Sequence, residues 1–477
     1  GGNSGDVTVE HDGTIVTLGD SSAAIRAQSI ASGGGDVSAE EDLTGFIPAD
    51  LPIGVGVPIG PKNEIAVGIG DVGGRGGIAG DVTVIAAGTL VTSGIDSVAI
   101  HAQSIGGSGG TSGTISVGAS GENRTGTQGG GVSVSVGLDG GESGRAGDVL
   151  VDSAATVQTS GLRARGIFAQ SIGGSGGAGG EATNGFENAS NEMSIAVGGA
   201  GGAGSVAGTV TVIQNGRIDT SGDEADGILA QSIGGGGGNG GIVISGNLNV
   251  TNPLGAPLLS IGGSGGDGGD AGAVEVINSG AIVTRGADAH GIVAQSIGGG
   301  GGNAGVALAA TTEPGSLIIG NTLAAVLGAT VMTGSGGAGG AVRVEHRGSM
   351  TVLGEGSQAI VAESINGGGG TLTLDFDRVA AIFADDGDAA TPPDPLFAAR
   401  AGSIGSSGMT GGSVEVISTG TVIVGGDNAI GLAVQSIGGG GGTLRLRGTL
   451  LSSTADPDAL AAPLLGDTFV SSIAARL

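Results

Sequence analysis

Two short signatures recur along this chain at a distance that never changes. The first is Gly5-Asp6-Val7-Thr8-Val9, which returns at Gly80–Val84, Gly147–Val151, Gly208–Val212, Gly272–Val276, Gly340–Val344 and Gly412–Val416. The second is Ala-Gln-Ser-Ile, at Ala27–Ile30, Ala102–Ile105, Ala169–Ile172, Ala230–Ile233 and Ala294–Ile297, with variants Ala362-Glu363-Ser364-Ile365 and Val434-Gln435-Ser436-Ile437. In all seven copies 23 residues separate the first Gly from the Gln or Glu, as from Gly5 to Gln28 and from Gly412 to Gln435. The remainder of each repeat varies, running 52, 44, 38, 41, 45 and 49 residues to the next Gly. A core of fixed length beside a half that tolerates insertions is the pattern of a packed layer flanked by surface loops.

The fixed core reads as β-structure. Val7-Thr8-Val9 alternates with period two, a turn follows at His11-Asp12-Gly13, and Thr14–Thr17 and Ala24–Ile30 are strand-like. Aligning the copies gives one aliphatic column, Ile25, Ile100, Ile167, Ile228, Ile292, Ile360 and Leu432, and a second, Ala27, Ala102, Ala169, Ala230, Ala294, Ala362 and Val434. Between them lies a variable position, Arg26, His101, Phe168, Leu229, Val293, Val361 or Ala433, which is expected to face solvent while the uniform columns face the core. One position beyond the second column come Gln28, Gln103, Gln170, Gln231, Gln295, Glu363 and Gln435, facing outward. The chain is therefore expected to be all-β, a right-handed parallel β-helix (β-solenoid). It has seven repeats, about 68 residues each over 477 residues. They fall at roughly 5–79, 80–146, 147–207, 208–271, 272–339, 340–411 and 412–477, in one continuous array. Known solenoid coils use about 20 to 25 residues, so two or three rungs per repeat are expected. The glycine runs, such as Gly234–Gly238 and Gly298–Gly302, read as corners of the coil. They are either tight turns or short polyproline-II segments packed closely together.

Composition excludes other classes. Glycine supplies 112 of 477 residues, but 12 scattered Pro rule out collagen, and 38% apolar content with a positive mean hydropathy rules out simple disorder. There are 7 Phe and neither Trp nor Tyr, so an aromatic core is excluded. The net charge of −28 speaks against nucleic acid as a partner, and no stretch of 18 apolar residues encodes direct membrane insertion. Without Cys, disulfides, thiolate zinc sites and cysteine nucleophiles fall away together. The opening Gly1–Gly5 has no signal-peptide character, and the closing Ser471–Leu477 would splice in phase onto Gly1–Asp6. A piece of a longer array, or subunits stacked head to tail, is the expectation.

The Ala-Gln-Ser-Ile segment followed by Gly-Gly-Ser-Gly-Gly, and preceded by Gly-Asp-Val-Thr-Val and Gly-Thr-Ile-Val-Thr, resembles the glycine-rich repeat region of large Gram-negative autotransporter-type surface proteins. The resemblance implies a parallel β-helix passenger, exported to the cell surface, with a role in display, adhesion or biofilm. Such proteins end in a transmembrane β-barrel, which this C-terminus does not resemble.

Candidate chemistry is sparse. Gly106–Gly110, Gly173–Gly177 and Gly262–Gly266 match Gly-x-Ser-x-Gly, but a nucleophile elbow needs a strand-to-helix turn and a partner His. His11, His101, His290 and His346 are expected as solvated surface residues rather than metal ligands. Gly262–Asp270 resembles a calcium-binding nonapeptide, and Asp385-Asp386-Gly387-Asp388 is a second acidic loop; calcium on these loops is a weak candidate and no other cofactor is expected. Thr17, Thr92, Thr159, Thr220 and Thr284 form a column that an ordered surface could use, broken at Val352 and Val424. The Gln column offers either a ladder or caps for local backbone, and two or three rungs per repeat would favour caps. The reading is a non-enzymatic extracellular rod or fibre on a bacterial surface. A glycan- or abiotic-surface-binding module, with specificity in loops such as Glu40–Pro61 and Asp385–Pro395, is the alternative, ahead of a polysaccharide-active enzyme.

Overall fold

The computed structural model describes residues 1–37, 41–42, 64–120, 130–187, 191–248, 258–305, 307–312, 332–375, 411–440 and 443–447. Ser471–Leu477, Asp385–Pro395 and, apart from Glu41–Asp42, the Glu40–Pro61 loop lie outside the described residues. Within them the chain is all-β, without a helix, and every strand pairing is parallel. The front sheet stacks Ile25–Ile30, Ile100–Ile105, Ile167–Ile172, Ile228–Ile233, Ile292–Ile297, Gln358–Ile365 and Ile430–Ile437 in that order. The back sheet stacks the Gly-Asp-Val segments from Val7–Thr17 to Val414–Ser418, and from the third copy onward each strand breaks at a corner into two.

Front and back sheets enclose one aliphatic core. Ile100, Ile167, Ile228, Ile292 and Ile360 are fully buried, as are Ala102, Ala169, Ala230, Ala294 and Ala362, against Val84, Val151, Val212, Val276 and Val344 from the back sheet. Fully burying an aliphatic side chain contributes about 1.5–3 kcal/mol, so columns of Ile and Val replace the missing aromatics. Each turn after the back strand places one residue in the left-handed region: Ser21, Asp96, Arg163, Glu224, Asp288 and Asn428 at φ 49–55°, and Gly356 at φ 68°. Gly356 adopts this conformation without steric cost, and Asp96, Asp288 and Asn428 are side-chain types that tolerate it.

Successive front-sheet strands are immediate neighbours: Gln28 is paired with Gln103, Gln103 with Gln170, and so on to Glu363 with Gln435. Each repeat therefore contributes one layer there, not the two or three expected. The extra length goes sideways. After the front strand the chain runs out along a glycine segment to a five-stranded sheet that includes Ile115–Ser120, Ala182–Glu187 and Val243–Leu248. It returns through a four-stranded sheet including Gly130–Val136 and Asn191–Val197, then along a second glycine segment to the next back strand. The circuit is a flattened loop. Its layers span about 30 Å along the stacking axis at 4.8 Å each, and about 65 Å across. A single chain is a slab, broader than it is tall.

The glycine segments are extended stacks rather than tight corners. Their hydrogen bonds repeat every third residue. Gly106, Gly109 and Ser112 donate to Ile172, Ser175 and Ala178 of the same segment in the next repeat. Gly107 and Gly110 donate instead to Gly77 and Gly74 of the facing segment, which runs the opposite way. Threefold periodicity is that of the polyproline-II helix. Glycine is needed for closeness, not for unusual φ. A Cβ on Gly235 would lie 1.8 Å from the Gly174 carbonyl oxygen, and one on Gly299 1.9 Å from that of Gly235. The third residue of the period faces out, where a Cβ on Gly300 would meet nothing nearer than 3.9 Å.

That alternation predicts opposite outcomes for adjacent residues. Gly299→Ala is expected to cost about 3 kcal/mol or more, or to prevent folding, whereas Gly300→Ala should change stability by less than about 0.5 kcal/mol. Urea-denaturation midpoints of the two variants check this; equal midpoints would contradict the packing described.

Candidate functional surface

The serine of Ala-Gln-Ser-Ile ties the two main sheets together. Ser104 Oγ donates to the Gly80 carbonyl at 2.9 Å and accepts the Gly147 amide at 2.8 Å. Ser171 does the same with Gly147 and Gly208, Ser232 with Gly208 and Gly272, and Ser296 with Gly272 and Gly340. Ser29 and Ser364 complete the column, and Ser436 donates to Gly412 at 2.9 Å. Each hydroxyl donates within its own repeat and accepts from the next. The invariant spacing between the two signatures is the length of chain that brings this serine to this glycine.

One residue earlier, the glutamines form a ladder on the outer face of the front sheet. Nε2 of Gln28 donates to Oε1 of Gln103 at 2.9 Å, Gln103 to Gln170 at 2.7 Å, Gln170 to Gln231 at 2.9 Å and Gln231 to Gln295 at 2.7 Å. Gln295 ends the run on Oε2 of Glu363 at 2.7 Å. The expected capping role gives way to a ladder because the repeats stack directly, at the one-strand spacing that amide ladders require. Beside the glutamines on the same face lies a column of half-buried isoleucines, Ile105, Ile172, Ile233, Ile297 and Ile365, with Ile30 and Ile437 more exposed at its ends. The variable column is not uniformly solvated. Leu229, Val293 and Val361 are buried and pack with Phe168. Phe168 stacks on His101 with centroids 5.0 Å apart and lies 5.7 Å beneath the Arg165 guanidinium. Neighbours one layer apart cover each other, so a residue can point outward and still be shielded.

The other sequence candidates take structural places. Thr92, Thr159, Thr220 and Thr284 are buried, not displayed, and each donates to the carbonyl five residues on, closing the turn. Thr17 bonds Ser22 in the same way. Asp267 and Asp270 of the nonapeptide-like segment accept the amides of Ser335 and Ala338 in the next repeat at 2.8 and 2.6 Å. Asp6, Asp81, Asp148 and Asp223 likewise accept amides one repeat along. Ser108, Ser175 and Ser264 sit in extended glycine segments, without the strand-to-helix turn of an elbow. Asp385–Asp388 lies outside the described residues. Among the described residues no cluster of three or more His, Asp or Glu is grouped to hold a metal.

A polar column inside the back-sheet corner was missed. His11, Ser153, Gln214, Asn278, His346 and Ser418 share one register position, with Ala86 in the second repeat. The readable signal was a polar residue where the Val-x-Val alternation calls for an apolar one. His346 is completely buried, which corrects its reading as a solvated surface residue. Its Nδ1 lies 3.0 Å from Asn278 Nδ2, which makes Nδ1 the acceptor. His346 Nε2, Asn278 Oδ1 and both amide atoms of Gln214 are buried without a protein partner. Burial holds the His346 imidazole below the ordinary histidine pKa.

Charge is divided between the two broad faces. Arg343 on the back sheet bridges Glu275, Glu345 and Glu415 at 2.8, 2.7 and 3.3 Å, and Arg217 and Arg285 pair with Asp219. On the front face, the glutamine and isoleucine columns carry one charge in seven repeats, Glu363.

No protein-family model and no curated protein matches this chain. Among solved structures, similarity is found to a nine-polyproline-type-II-helix bundle, the springtail antifreeze protein from Granisotoma rainieri. That match has 18% identity and a TM-score of 0.13, over 51% of this chain and 94% of that one.

Removing one staple should be costly. Ser232→Ala removes the partner of the half-buried Gly208 carbonyl and Gly272 amide, at about 0.5–1.5 kcal/mol for each hydrogen bond lost, whereas Ser108→Ala, at an exposed position, should be near neutral. Urea titration of both variants tests this. A second expectation concerns pH. The folded state resists protonating His346, while the unfolded chain accepts a proton near pH 6.5. Stability is therefore full above that value and falls as pH drops through it towards the lower folded value. His346→Asn, which repeats the residue at position 278, should shrink the loss between pH 7 and pH 5; an unchanged loss would refute the assignment.

Proposed function

We propose that this chain is a non-enzymatic building block of an extracellular rod or fibre at a bacterial cell surface, folded as a right-handed parallel β-solenoid of seven repeats. The observation that carries the reading is the unbroken axial bonding. Backbone ladders and serine staples run along one direction through all seven layers of the front sheet, and the glutamine ladder runs with them from Gln28 to Glu363. Such a column resists bending and extension, because deforming it strains many hydrogen bonds at once. The carboxylates support a mechanical reading over a catalytic one. Those of Asp81, Asp148, Asp267 and Asp270 are engaged in accepting amides of the next repeat, not gathered in a groove. The net charge of −28 keeps such particles soluble. Placement at the cell surface rests on the autotransporter-type resemblance of the repeats.

One slab about 30 Å tall is not a rod. A rod requires further layers, and the seventh layer is suited to receive them. Leu432 and Val434 are 50% and 47% exposed, in columns fully or almost fully buried elsewhere. A further layer of the same kind would cover them and pair the edge strand Ile430–Ile437. Head-to-tail stacking of copies supplies such a layer.

A second reading is a module that binds a glycan or a solid surface. It is favoured by the flat front face, whose glutamine and isoleucine columns keep one chemistry across the repeats.

Electron microscopy of purified protein, with fibre diffraction, tests the first reading. Filaments with a meridional spacing of about 4.8 Å are expected. Isolated slabs at all concentrations would refute stacking, and failure of antibodies to label intact cells of the source bacterium would refute surface placement.

A further inference from the structure

The outward position of the first glycine segment presents a puzzle that the fold does not answer. In sequence order it is Gly33, Ser108, Ser175, Gly236, Gly300, Gly368 and Gly440. These residues form one column, since the carbonyls of Ser108, Ser175, Gly236, Gly300, Gly368 and Gly440 each accept an amide from the preceding repeat. Inner glycines of the same segments have no room for a side chain. The outward ones do: a Cβ on Gly236 would meet nothing nearer than 3.8 Å, and one on Gly368 nothing within 4 Å. None has φ in the left-handed region. Glycine in a solvent-facing segment also costs backbone entropy. Neither internal packing nor backbone conformation calls for glycine here, whereas close approach from outside would.

The neighbouring column is its complement. Ile233, Ile297 and Ile365 stand three residues before Gly236, Gly300 and Gly368, and form an apolar ridge beside a bare groove. The chain carries a net charge of −28, yet the ridge and groove contain no charged residue in any repeat. The back face, with Glu275, Glu345 and Glu415, is where charge collects.

We propose that this face binds a second copy of the chain, side by side and parallel, about a two-fold axis that runs along the stacking direction between ridge and groove. That rotation turns the partner's face over, leaves its layers at the same height and exchanges the two columns. Each isoleucine ridge then seats on the other copy's glycine groove, and the contact is isologous and closed. The layer spacing is common to both copies, so the five glycine layers repeat the same contact, and at Ser108 and Ser175 the isoleucine meets a small hydroxymethyl group instead. The face measures about 30 by 20 Å, which gives about 1,200 Å² buried over both copies, at the lower edge of stable interfaces. No charge is desolvated at its centre. This lateral contact is distinct from end-to-end stacking and does not rest on the cell-surface reading.

Sedimentation equilibrium of the full chain tests it. The unmodified protein should show a monomer–dimer equilibrium at micromolar concentration. The double variant Gly236→Lys, Gly300→Lys places two charges in the groove and should raise the dimer Kd at least tenfold. Ala203→Lys, on the exposed outer side of the second glycine segment, should leave it unchanged. Because the sequence has no cysteine, introduced thiols give a second readout that does not depend on the lysine variants folding. An oxidised mixture of Ile233→Cys and Gly236→Cys chains should form a cross-linked dimer, and either chain alone should not. A monomeric protein up to 100 µM would overturn the proposal. So would a dimer insensitive to the groove substitutions, cross-linking of Gly236→Cys with itself, or a monomer that binds crystalline cellulose or ice through these columns.

Discussion

The architecture depends on one hydroxyl per repeat that serves two layers at once. A serine such as Ser171 donates a hydrogen bond to the Gly147 carbonyl beside it and accepts one from the Gly208 amide of the layer ahead. Both backbone partners are half-buried, and each would cost free energy if left unpaired. The front strand must therefore sit at one height relative to the back strand, and each repeat must follow the last without an intervening coil. The parallel pairing, the aliphatic columns and the glutamine ladder all inherit their register from this geometry. So does the tolerance of the other half of the repeat, whose length no such contact fixes.

Glycine then decides the cross-section. Facing polyproline-II segments approach so closely that a methyl group on Gly234 or Gly237 would overlap the carbonyl of Gly269 or Gly266 in the opposite row. Amides of alternate partners are satisfied within the same row and across the two rows. A protein almost without aromatics can thus keep a broad interior with little hydrophobic volume, using backbone hydrogen bonds in place of side chains. The far sheets continue the economy with small polar pairs, Asn184 with Ser194 and Ser260 with Ser245. Polar atoms buried without protein partners remain at the back-sheet corner, in Gln214, Asn278 and His346, and in the far sheets, in Ser133, Ser135 and Asn184.

The two broad faces differ in kind. The back face collects ion pairs around Arg343 and Asp219, most of them partly exposed, so their value is more in solubility than in stability. The glutamine, isoleucine and glycine columns of the front face are periodic and carry one charge, Glu363. Under the two proposals above, association along the axis would use strand edges, and association across it would use the isoleucine and glycine columns of the front face. These contacts use different groups and can be separated by substitution.

Much of the fold was legible in the sequence because period-two alternation and the constant 23-residue core are local properties. Ile228 and Ala230 face the core for the reason the alternation gives, and Thr211 and Ile213 alternate away from it. The layer count was not legible. Whether some 68 residues wind into several coils or one wide circuit depends on what the glycine segments do. Their φ is ordinary, and only the facing backbone shows that closeness was the requirement. The glutamine ladder and the shielding of Leu229 followed from the layer count and were misread with it. His346 looked like a solvated surface residue in one dimension and is a core residue where the back strand turns its corner. Sequence by itself determined the strands, their inner faces and their repeat, since side-chain alternation is fixed by the pleat. Tertiary structure alone decided which repeats touch, because contact between residues some 68 positions apart is set by the register of hydrogen bonds that no single segment contains.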